Sequence, residues 1–202
     1  TGAPQPITMV IVSDASLVLK GVNPEGLRFF VRGGGQVPCP CCGEALVCIG
    51  TRMRGCVQPD GEKLLLSLRR LQCTNEACGR IHHELPDCLV PYKRHASASI
   101  ESACTPSAEA ADTGISAENS TLSRWKRWAE TFAQYWDSCL RAISSRMDMN
   151  PGTKPEASSA SPLQRLFQHL GHQPGWLAEI VRTLVNAGLW VQTRSALVAG
   201  TS

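Results

Sequence analysis

Four cysteines are arranged in two pairs whose spacing suits a tetrahedral metal ion. Cys39 and Cys42 form the first pair, and Cys73 and Cys78 form the second. A structural Zn²⁺ ion takes four such ligands, and two cysteines a few residues apart on a tight turn supply one edge of the tetrahedron. Each pair is followed directly by a glycine, which tolerates the positive φ that a sharp turn can require. The sequence therefore predicts a site that holds one Zn²⁺ ion as its cofactor.

The chain has ten cysteines, so other interpretations of the two pairs stay open. Cys41 can replace Cys39 or Cys42 as a ligand, and His82 and His83 are further candidates. Disulfide bonds are the alternative to a metal, but disulfide-rich domains are usually short and secreted, and no apolar signal segment leads this sequence. A removed signal segment remains open because the sequence does not begin with Met. Five further cysteines show no pairing, and buried free thiols behave as small hydrophobic groups: Cys48, Cys56, Cys88, Cys104 and Cys139.

Two strands joined by a turn would bring the cysteine pairs together. Val47 to Val57 and Lys63 to Gln72 are rich in residues that favour strands, and Pro59-Asp60-Gly61 between them is typical of a turn. The segment from Glu84 to Arg94 contains two prolines, which favour an extended tail packed on this hairpin. We therefore expect a β zinc ribbon.

Length and composition limit the other possibilities. A chain of 202 residues with 43% hydrophobic and 18% charged residues fits one or two small soluble domains. No apolar run approaches the roughly 20 residues of a membrane-spanning helix, so we expect a cytoplasmic protein without a membrane partner. The net charge is only +3, so a nucleic-acid surface would have to come from local clustering of basic residues.

The sequence predicts an α+β protein in five segments, in which the ribbon is followed by a helix-turn-helix-like region and a C-terminal helical hairpin. Three short strands are expected before the ribbon, at Ile7 to Val12, Leu17 to Lys20 and Leu27 to Val31. The five segments are the N-terminal strands at 1–36, the ribbon at 37–95, the helical region at 96–149, a mobile linker rich in Pro and Ser at 150–162, and the helical hairpin at 163–202.

The helical region contains one strongly amphipathic segment. Leu122, Trp125, Trp128 and the aromatic residues after them recur at steps of three and four, which predicts a helix from about Thr121 to Ile143 with a cap near Asn119. A shorter alanine-rich helix is expected within Ala98 to Ala111 and would end before Gly114. A short helix, a glycine-containing turn and a second helix resemble the helix-turn-helix of many transposases and phage-type regulators.

The start of the second helix is the main candidate for DNA contacts. Its hydroxyl residues, Ser120, Thr121 and Ser123, would face phosphates or base edges. Its basic residues, Arg124, Lys126 and Arg127, would neutralise the DNA backbone. The alternative is that the tryptophans form an ordinary core stripe and the basic residues a solvated face.

Basic residues of the ribbon can form a stripe along the hairpin and extend this surface. They are Arg52, Arg54, Arg69, Arg70, Arg80, Lys93 and Arg94. Residues 39–95 contain eight Lys or Arg and six Asp or Glu, so the segment carries a net charge of only +2. A surface with this balance can equally dock a protein.

Two short helices are expected after the linker. Leu163, Leu166 and Phe167 predict the first, and Trp176 to Val185 predict the second, with a break at Gly171 to Gly175 and a stop at Gly188. A helical hairpin of this size is too small for its own core. It should pack on the preceding helices or on a partner chain.

Several short motifs follow one another along the ribbon. They are Cys-Pro-x-Cys-Gly from Cys39, Asp60-Gly61, Arg69-Arg70, the second cysteine pair, His82 to Asp87, and Pro91 to Arg94. Their order resembles an uncharacterised bacterial zinc-ribbon family, a domain family of unknown function. That family is similar to the zinc-finger heads of insertion-sequence transposases, in which a four-cysteine module precedes a helix-turn-helix that binds transposon ends. The resemblance covers residues 37–101 and departs at the second knuckle, where four residues separate Cys73 from Cys78 instead of the usual two.

The sequence does not predict an enzyme. A retroviral-type transposase needs three carboxylates around Mg²⁺ on a large sheet, and the region after the ribbon offers too little chain for one. No nucleophile motif surrounds Cys88, Cys104 or Cys139, and His82-His83-Glu84 fits better beside the metal knuckle than in an open metal site. We therefore predict a zinc-binding accessory or regulatory protein of mobile elements that binds double-stranded DNA. The alternatives are an adapter that docks a recombinase or polymerase, and an RNA-binding ribbon; the sequence does not indicate the oligomeric state.

Overall fold

A computed structural model shows the α+β architecture that the sequence predicts. It describes residues 9–13, 15–23, 26–33, 37–105, 115–146, 160–171 and 173–191. Within these ranges the chain forms six strands and four helices. They are β1 (Met9–Ser13), β2 (Ala15–Asn23), β3 (Gly26–Gly33), β4 (Leu46–Val57), β5 (Lys63–Cys73), β6 (Ile81–Pro86), α1 (Ser97–Cys104), α2 (Asn119–Arg146), α3 (Pro162–Leu170) and α4 (Trp176–Asn186).

Strand β5 is the centre of a single six-stranded sheet. β4 pairs with it antiparallel along its whole length, from Lys63 to Cys73. Its other edge is shared, because β3 pairs in parallel with Leu64 to Ser67 and β6 pairs antiparallel with Arg70 to Gln72. β2 then extends the sheet beside β3, and β1 extends it beside β6.

The predicted ribbon hairpin is confirmed as β4 and β5, each one residue longer at its metal end than expected. Gly61 closes the turn between them with a φ of 90°, and Gln58 N donates to Glu62 O at 2.8 Å. The expected N-terminal strands correspond to β1, β2 and β3, except that Ile7 and Thr8 lie outside the described residues. These strands join the sheet of the ribbon, which is consistent with the marginal stability of an isolated two-stranded hairpin in water.

One hydrophobic core joins the sheet to the helices. Leu64, Leu66 and Leu68 alternate along β5 and are buried together with Ile100 of α1 and Ile180 of α4. Alternate residues of a strand lie on one face, so these leucines define the face that the helices cover. The core is continuous from the sheet to α4.

Helix α2 buries the aromatic stripe that the sequence predicted. Its buried residues are Trp125, Trp128, Ala129, Ala133, Trp136 and Leu140. Trp136 stacks on Trp190 with a centroid distance of 6.0 Å, and the hydroxyl of Tyr135 donates to Leu189 O at 2.7 Å. These contacts attach the end of the described chain to α2, so the tryptophans of α2 are core residues.

The two predicted C-terminal helices are confirmed as α3, which packs on α2, and α4, which packs on β1, α1 and α2. Ser161 and Gln164 form a capping box at the start of α3, so Pro162 belongs to this helix and not to the predicted linker. The rest of that predicted linker, up to residue 159, lies outside the described residues. The carboxylate of Glu101 accepts from the backbone N–H groups of Gly175 and Leu177 at the start of α4, at 2.6 and 3.0 Å.

The helix-turn-helix expectation is not confirmed. α1 ends at Cys104, Thr105 has an extended backbone with a ψ of 125°, and α2 begins only at Asn119. A helix-turn-helix joins its helices with a turn of about three or four residues. Gly114, which we expected in that turn, lies outside the described residues.

No helix in the described ranges combines the length and apolar character needed to cross a bilayer.

Candidate metal site and basic surface

Four thiols converge at one end of the sheet. The Sγ atoms of Cys39, Cys42, Cys73 and Cys78 all lie within 4.8 Å of one another. The Sγ atoms of Cys39 and Cys78 are 3.8 Å apart, and those of Cys42 and Cys73 are 3.4 Å apart. A tetrahedral ion with bonds of about 2.3 Å to sulfur requires about 3.8 Å between sulfurs, whereas a disulfide requires about 2.05 Å. The four cysteines form no disulfide and can therefore hold a metal ion.

The first knuckle is a tight turn closed by backbone hydrogen bonds. Cys39 N donates to Glu44 O, and Gly43 N donates to Cys39 O, both at 2.8 Å. Gly43 has a φ of 79°, so a glycine suits this position, as the sequence indicated. The turn buries Cys39 and leaves Cys42 exposed.

The second knuckle accommodates its two extra residues through Asn75. The side-chain oxygen of Asn75 accepts from Ala77 N at 2.9 Å, and its backbone carbonyl accepts from Cys78 N at 3.0 Å and Gly79 N at 2.8 Å. Gly79 then turns with a φ of 53°. This short turn returns Cys78 to Cys73 despite the four intervening residues.

Hydrogen bonds join the two knuckles to each other, independently of any metal ion. Both the backbone N–H and the hydroxyl of Thr74 donate to Ala45 O, at 3.0 and 3.1 Å. The first knuckle is therefore held against the end of β5.

His82 lies directly beside the thiol cluster. Its side chain is completely buried, and its Nε2 atom is 3.5 Å from Cys39 Sγ. Burial lowers the pKa of His82, and the charge of Arg80 lowers it further, which favours a neutral ring that can donate to a thiolate. Cys39, Cys41 and His82 also form a second group with metal-binding potential, so His82 remains a ligand candidate.

Cys41 is exposed and faces a cation. Arg80 Nη1 donates to Cys41 Sγ at 3.3 Å. Burial of the thiol is the largest influence on Cys41 and raises its pKa, although Arg80 opposes the shift. Cys41 therefore lies outside the group of four but within reach of Cys39.

The four thiols are not equivalent in acidity. Burial disfavours the thiolate of Cys39, but backbone N–H groups of Cys41 and Cys42 outweigh it and lower the pKa of Cys39 to about 7. Burial raises the pKa of Cys73 to about 12. Because a metal binds thiolates, a cation must displace protons from this cluster to bind.

The remaining cysteines lie outside the thiol cluster. Burial raises the pKa of Cys56 to about 11 and that of Cys104 to about 12, so both are neutral core thiols. Cys88 and Cys139 are half-buried, and Cys48 is exposed on β4.

The basic residues expected along the hairpin do not form one stripe. Arg69 and Arg70 are neighbours on β5, so their side chains point to opposite faces of the sheet. Arg69 makes a two-point ion pair with Glu84, whose side chain is 1% exposed. Arg69 therefore stabilises the sheet by pairing with Glu84. To contact DNA, it would have to leave this buried carboxylate.

Arg54 is also held by the protein. Its Nη2 atom donates to Val90 O at 2.9 Å and to Lys93 O at 2.6 Å. Burial is the main cause that lowers the pKa of Arg54. This arginine fixes the tail onto β4, and the expected DNA contact would compete with that role.

Three arginines of β4 and β5 lie near His83, which sequence reasoning treated only as a metal candidate. Register places Arg70 opposite His83 across the β5–β6 pair, whereas His82 points to the other face. Burial lowers the pKa of His83, and three nearby arginine charges lower it further. They belong to Arg52, Arg70 and Arg54, and we call these three residues with His83 the sheet cluster.

The start of α2 forms a second basic group. Arg124, Lys126 and Arg127 are all exposed, and we call them the helix cluster. Of the expected hydroxyl contacts, Ser120 and Ser123 are exposed, whereas Thr121 is half-buried and accepts from Arg124 Nη2 at 2.9 Å.

The tail connects the two clusters. The ammonium of Lys93 lies 4.3 Å from the centroid of the Trp128 ring, and burial together with the charge of Arg124 lowers the pKa of Lys93. Arg94 is exposed, and its carbonyl accepts from Val57 N at 2.9 Å. The tail thus passes from the sheet cluster toward the helix cluster.

Comparison with known proteins finds one family model that is similar to the segment with the four cysteines. A family model described as "Domain of unknown function (DUF6431)" matches residues 39–125, which is less than half of the chain. No curated protein and no solved structure matches the chain. The matched segment begins at the first cysteine of the cluster and ends within α2, so it contains the four cysteines and the tail that follows β6. The description of the matching family names no function.

Proposed function

We propose that this protein is a zinc-binding accessory or regulatory factor that binds double-stranded DNA. The observation that carries the proposal is the succession of basic residues from the sheet cluster through Lys93 and Arg94 to the helix cluster. A neighbouring set of four thiols would hold one end of this surface in place through a metal ion.

Zn²⁺ is the metal that best fits the four donors. Four thiolates in a tetrahedron are typical of zinc or iron sites, and Zn²⁺ has no redox chemistry that would endanger free thiols nearby. The four cysteines of the thiol cluster form no disulfide bonds, which agrees with a reducing compartment such as the bacterial cytoplasm. Metal analysis of the purified protein should find one Zn²⁺ per chain, and Cys73→Ser should lose it.

Charge explains why duplex DNA is the proposed partner. Each Lys or Arg that neutralises a phosphate releases a condensed counterion, so affinity depends steeply on salt. Arg124, Lys126 and Arg127 are exposed, and Arg124 and Arg127 lie three residues apart on one side of α2. Ser120 and Ser123 stand beside them as uncharged donors to phosphate.

A relation to transposable elements is supported by the resemblance of the ribbon to transposase heads. In this proposal the start of α2 takes the place of a recognition helix, although α1 and α2 lack the short turn of a helix-turn-helix. The protein would then act beside a recombinase and not as one.

Fluorescence anisotropy with a random-sequence duplex over a salt series tests the proposal. We expect the metal-loaded protein to show log affinity that falls steeply with log salt. Replacement of Arg124, Lys126 and Arg127 by Ala should reduce the slope by about 0.9 for each phosphate contact removed. The matched control is Lys63→Ala with Arg146→Ala, since both side chains are exposed outside the two clusters. Absence of binding at low salt, or equal losses in the two variants, would refute the proposal.

A protein-interaction adapter is the second candidate, because β4 presents a long exposed edge. Among the described residues, only Val57 of β4 pairs on this edge, with His95. Val47, Ile49 and Met53 are exposed apolar residues on the same strand. An open apolar edge can accept a strand from another protein. Ile49→Lys should abolish capture of a recombinase partner by an adapter, whereas the helix-cluster variant should leave capture intact.

A further inference from the structure

Tyr92 occupies a backbone position that normally requires glycine. Lys93 N donates to Val90 O at 3.1 Å, which closes a four-residue turn with Pro91 second and Tyr92 third. Tyr92 has a φ of 63° and is the one non-glycine residue with a positive φ among the described residues. A positive φ at the third position, after a proline at the second, is typical of a type II turn, where glycine or asparagine is usual at the third position. A bulky aromatic residue is strained in this place.

The turn is held by Arg54 while Tyr92 is partly exposed to solvent. Arg54 Nη2 donates to the carbonyls at both ends of the turn, those of Val90 and Lys93. Val90 and Pro91 are buried, but Tyr92 is 55% exposed. The strained backbone therefore leaves part of an aromatic side chain accessible at the surface.

Cations border this exposed ring. Arg52 and Arg54 are two residues apart on β4 and so share the face of the sheet cluster. Burial raises the pKa of the Tyr92 phenol, and the nearby charges of Arg54 and Arg52 oppose the rise. Because Arg54 is engaged by the turn, Arg52 is the arginine near the ring that is left to bind a ligand.

We propose that Tyr92 stacks on an unpaired nucleobase of DNA while Arg52 binds a flanking phosphate. The proposal rests on the proposed function, since it assigns a second, strand-reading contact to the same nucleic-acid surface. An aromatic ring stacks on any base, but in an intact duplex the base faces are already stacked on each other. The ligand is therefore a junction between duplex and single-stranded DNA, with the duplex on the helix cluster and the single strand at Tyr92.

Three fluorescent probes test this inference with the full-length, zinc-loaded protein. The first is a blunt duplex, the second is the same duplex with a thymine overhang, and the third carries the overhang as ribonucleotides. We expect roughly tenfold tighter binding of the deoxy overhang than of the blunt duplex, which is the lower range for one base stacked on an aromatic ring. A 2-aminopurine in the overhang should lose fluorescence on binding as it stacks.

Two substitutions separate the ring from the backbone. Tyr92→Asn removes the ring but suits the positive φ, so its thermal midpoint should equal or exceed that of the wild type. It should lose the tenfold preference and the 2-aminopurine quenching while it keeps the affinity for the blunt duplex. Tyr92→Phe keeps the ring and should keep both effects.

The outcomes distinguish this inference from the proposed function. An unchanged overhang preference in Tyr92→Asn, or no preference in the wild type, overturns the role of Tyr92 and leaves duplex binding in place. Binding of the overhang probe without binding of the blunt duplex supports the role of Tyr92 and overturns the duplex proposal. Failure to bind any probe overturns both. A stronger gain with the ribonucleotide overhang supports stacking but identifies RNA as the source of the base.

Discussion

The two ends of β5 are stabilised by different means. Leu64, Leu66 and Leu68 lie in its first part and are buried under the helices. At its other end the strand reaches Cys73 and the thiol cluster, and the neighbouring half of β4, from Val47 to Met53, is exposed. One strand thus runs from a helix-covered end, packed by apolar side chains, to a metal end, held by polar contacts and the capacity to bind a metal.

This difference indicates how the basic surface is kept in place. Arg70 and His83 of the sheet cluster lie toward the metal end, whereas Arg52 pairs with Leu68 and Arg54 with Leu66. Helix α2 is fixed by its aromatic face. A small module with little core depends on a metal or another cross-link for its fold. The position of Arg70 relative to α2 should therefore depend on metal binding.

Metal removal should unfold the metal end and leave the helix-covered end folded, and we expect it to have the largest effect on stability. The apparent binding energy of structural zinc in small modules is about 10–16 kcal/mol, more than the metal end can replace by packing. With a chelator, or in Cys39→Ser, we expect the amides of residues 39–51 and 70–81 to lose protection from hydrogen exchange. The amides of α2 and α4 should stay protected. Exchange measured by mass spectrometry, with circular dichroism on the same samples, would check both parts.

A uniform loss of protection would show that the two ends unfold together. Unchanged exchange, circular dichroism and thermal melting after chelation would contradict a structural role for the metal. Cys48→Ser is the matched control, because Cys48 is an exposed cysteine outside the thiol cluster.

Leu66→Ala should produce the opposite pattern. Leu66 is 0% exposed and lies within the helix-covered end, so the cavity should lower the free energy of unfolding by about 4 kcal/mol. Metal affinity of the folded protein should not change. Urea unfolding and a zinc competition assay would measure the two quantities, and Leu65→Ala on the other face is the control. A large loss of metal affinity in Leu66→Ala would show that the two ends are not independent.

Local sequence patterns predicted much of this arrangement. The cysteine pairs and the turn at Gly61 marked the hairpin, because metal knuckles and turns need particular residues at fixed spacing. The helical periods from Leu122 onward and from Leu163 onward marked α2, α3 and α4 within a few residues. These features depend on neighbours in the chain, so the sequence is enough to find them.

Contacts between distant segments were not predictable in the same way. The parallel pairing of β1 with β6 depends on residues far apart in the sequence. The ion pair of Arg69 with Glu84 was missed, although the strand period could have placed Arg69 and Arg70 on opposite faces. The helix-turn-helix interpretation relied on the order of elements, whereas the fold depends on the length and path of the connection between α1 and α2.

Arg69→Met removes a polar contact near the metal end and so tests how much such contacts stabilise this part of the sheet. It leaves the carboxylate of Glu84 buried without its cation, and we expect a loss of about 3 kcal/mol in the free energy of unfolding. The partial exposure of Arg69, 27%, places the effect at the low end of such losses. The double variant with Glu84→Leu should recover most of the stability, as measured by urea unfolding. No recovery would mean that Arg69 stabilises the sheet by other contacts.

Arg54→Lys should have the smallest effect on stability. It tests whether Arg54 alone holds the tail against β4, where the two ends meet. A lysine keeps the charge but not the planar guanidinium that reaches the carbonyls of both Val90 and Lys93. We expect a loss of about 1 kcal/mol in stability and faster hydrogen exchange at Lys93, with metal affinity unchanged. Arg52→Lys is the matched control on the same face of β4, and because Arg52 is exposed its stability should stay within about 0.5 kcal/mol of the wild type. Equal exchange at Lys93 in both variants would mean that the buried Val90 and Pro91, and not Arg54, hold the turn that presents Tyr92.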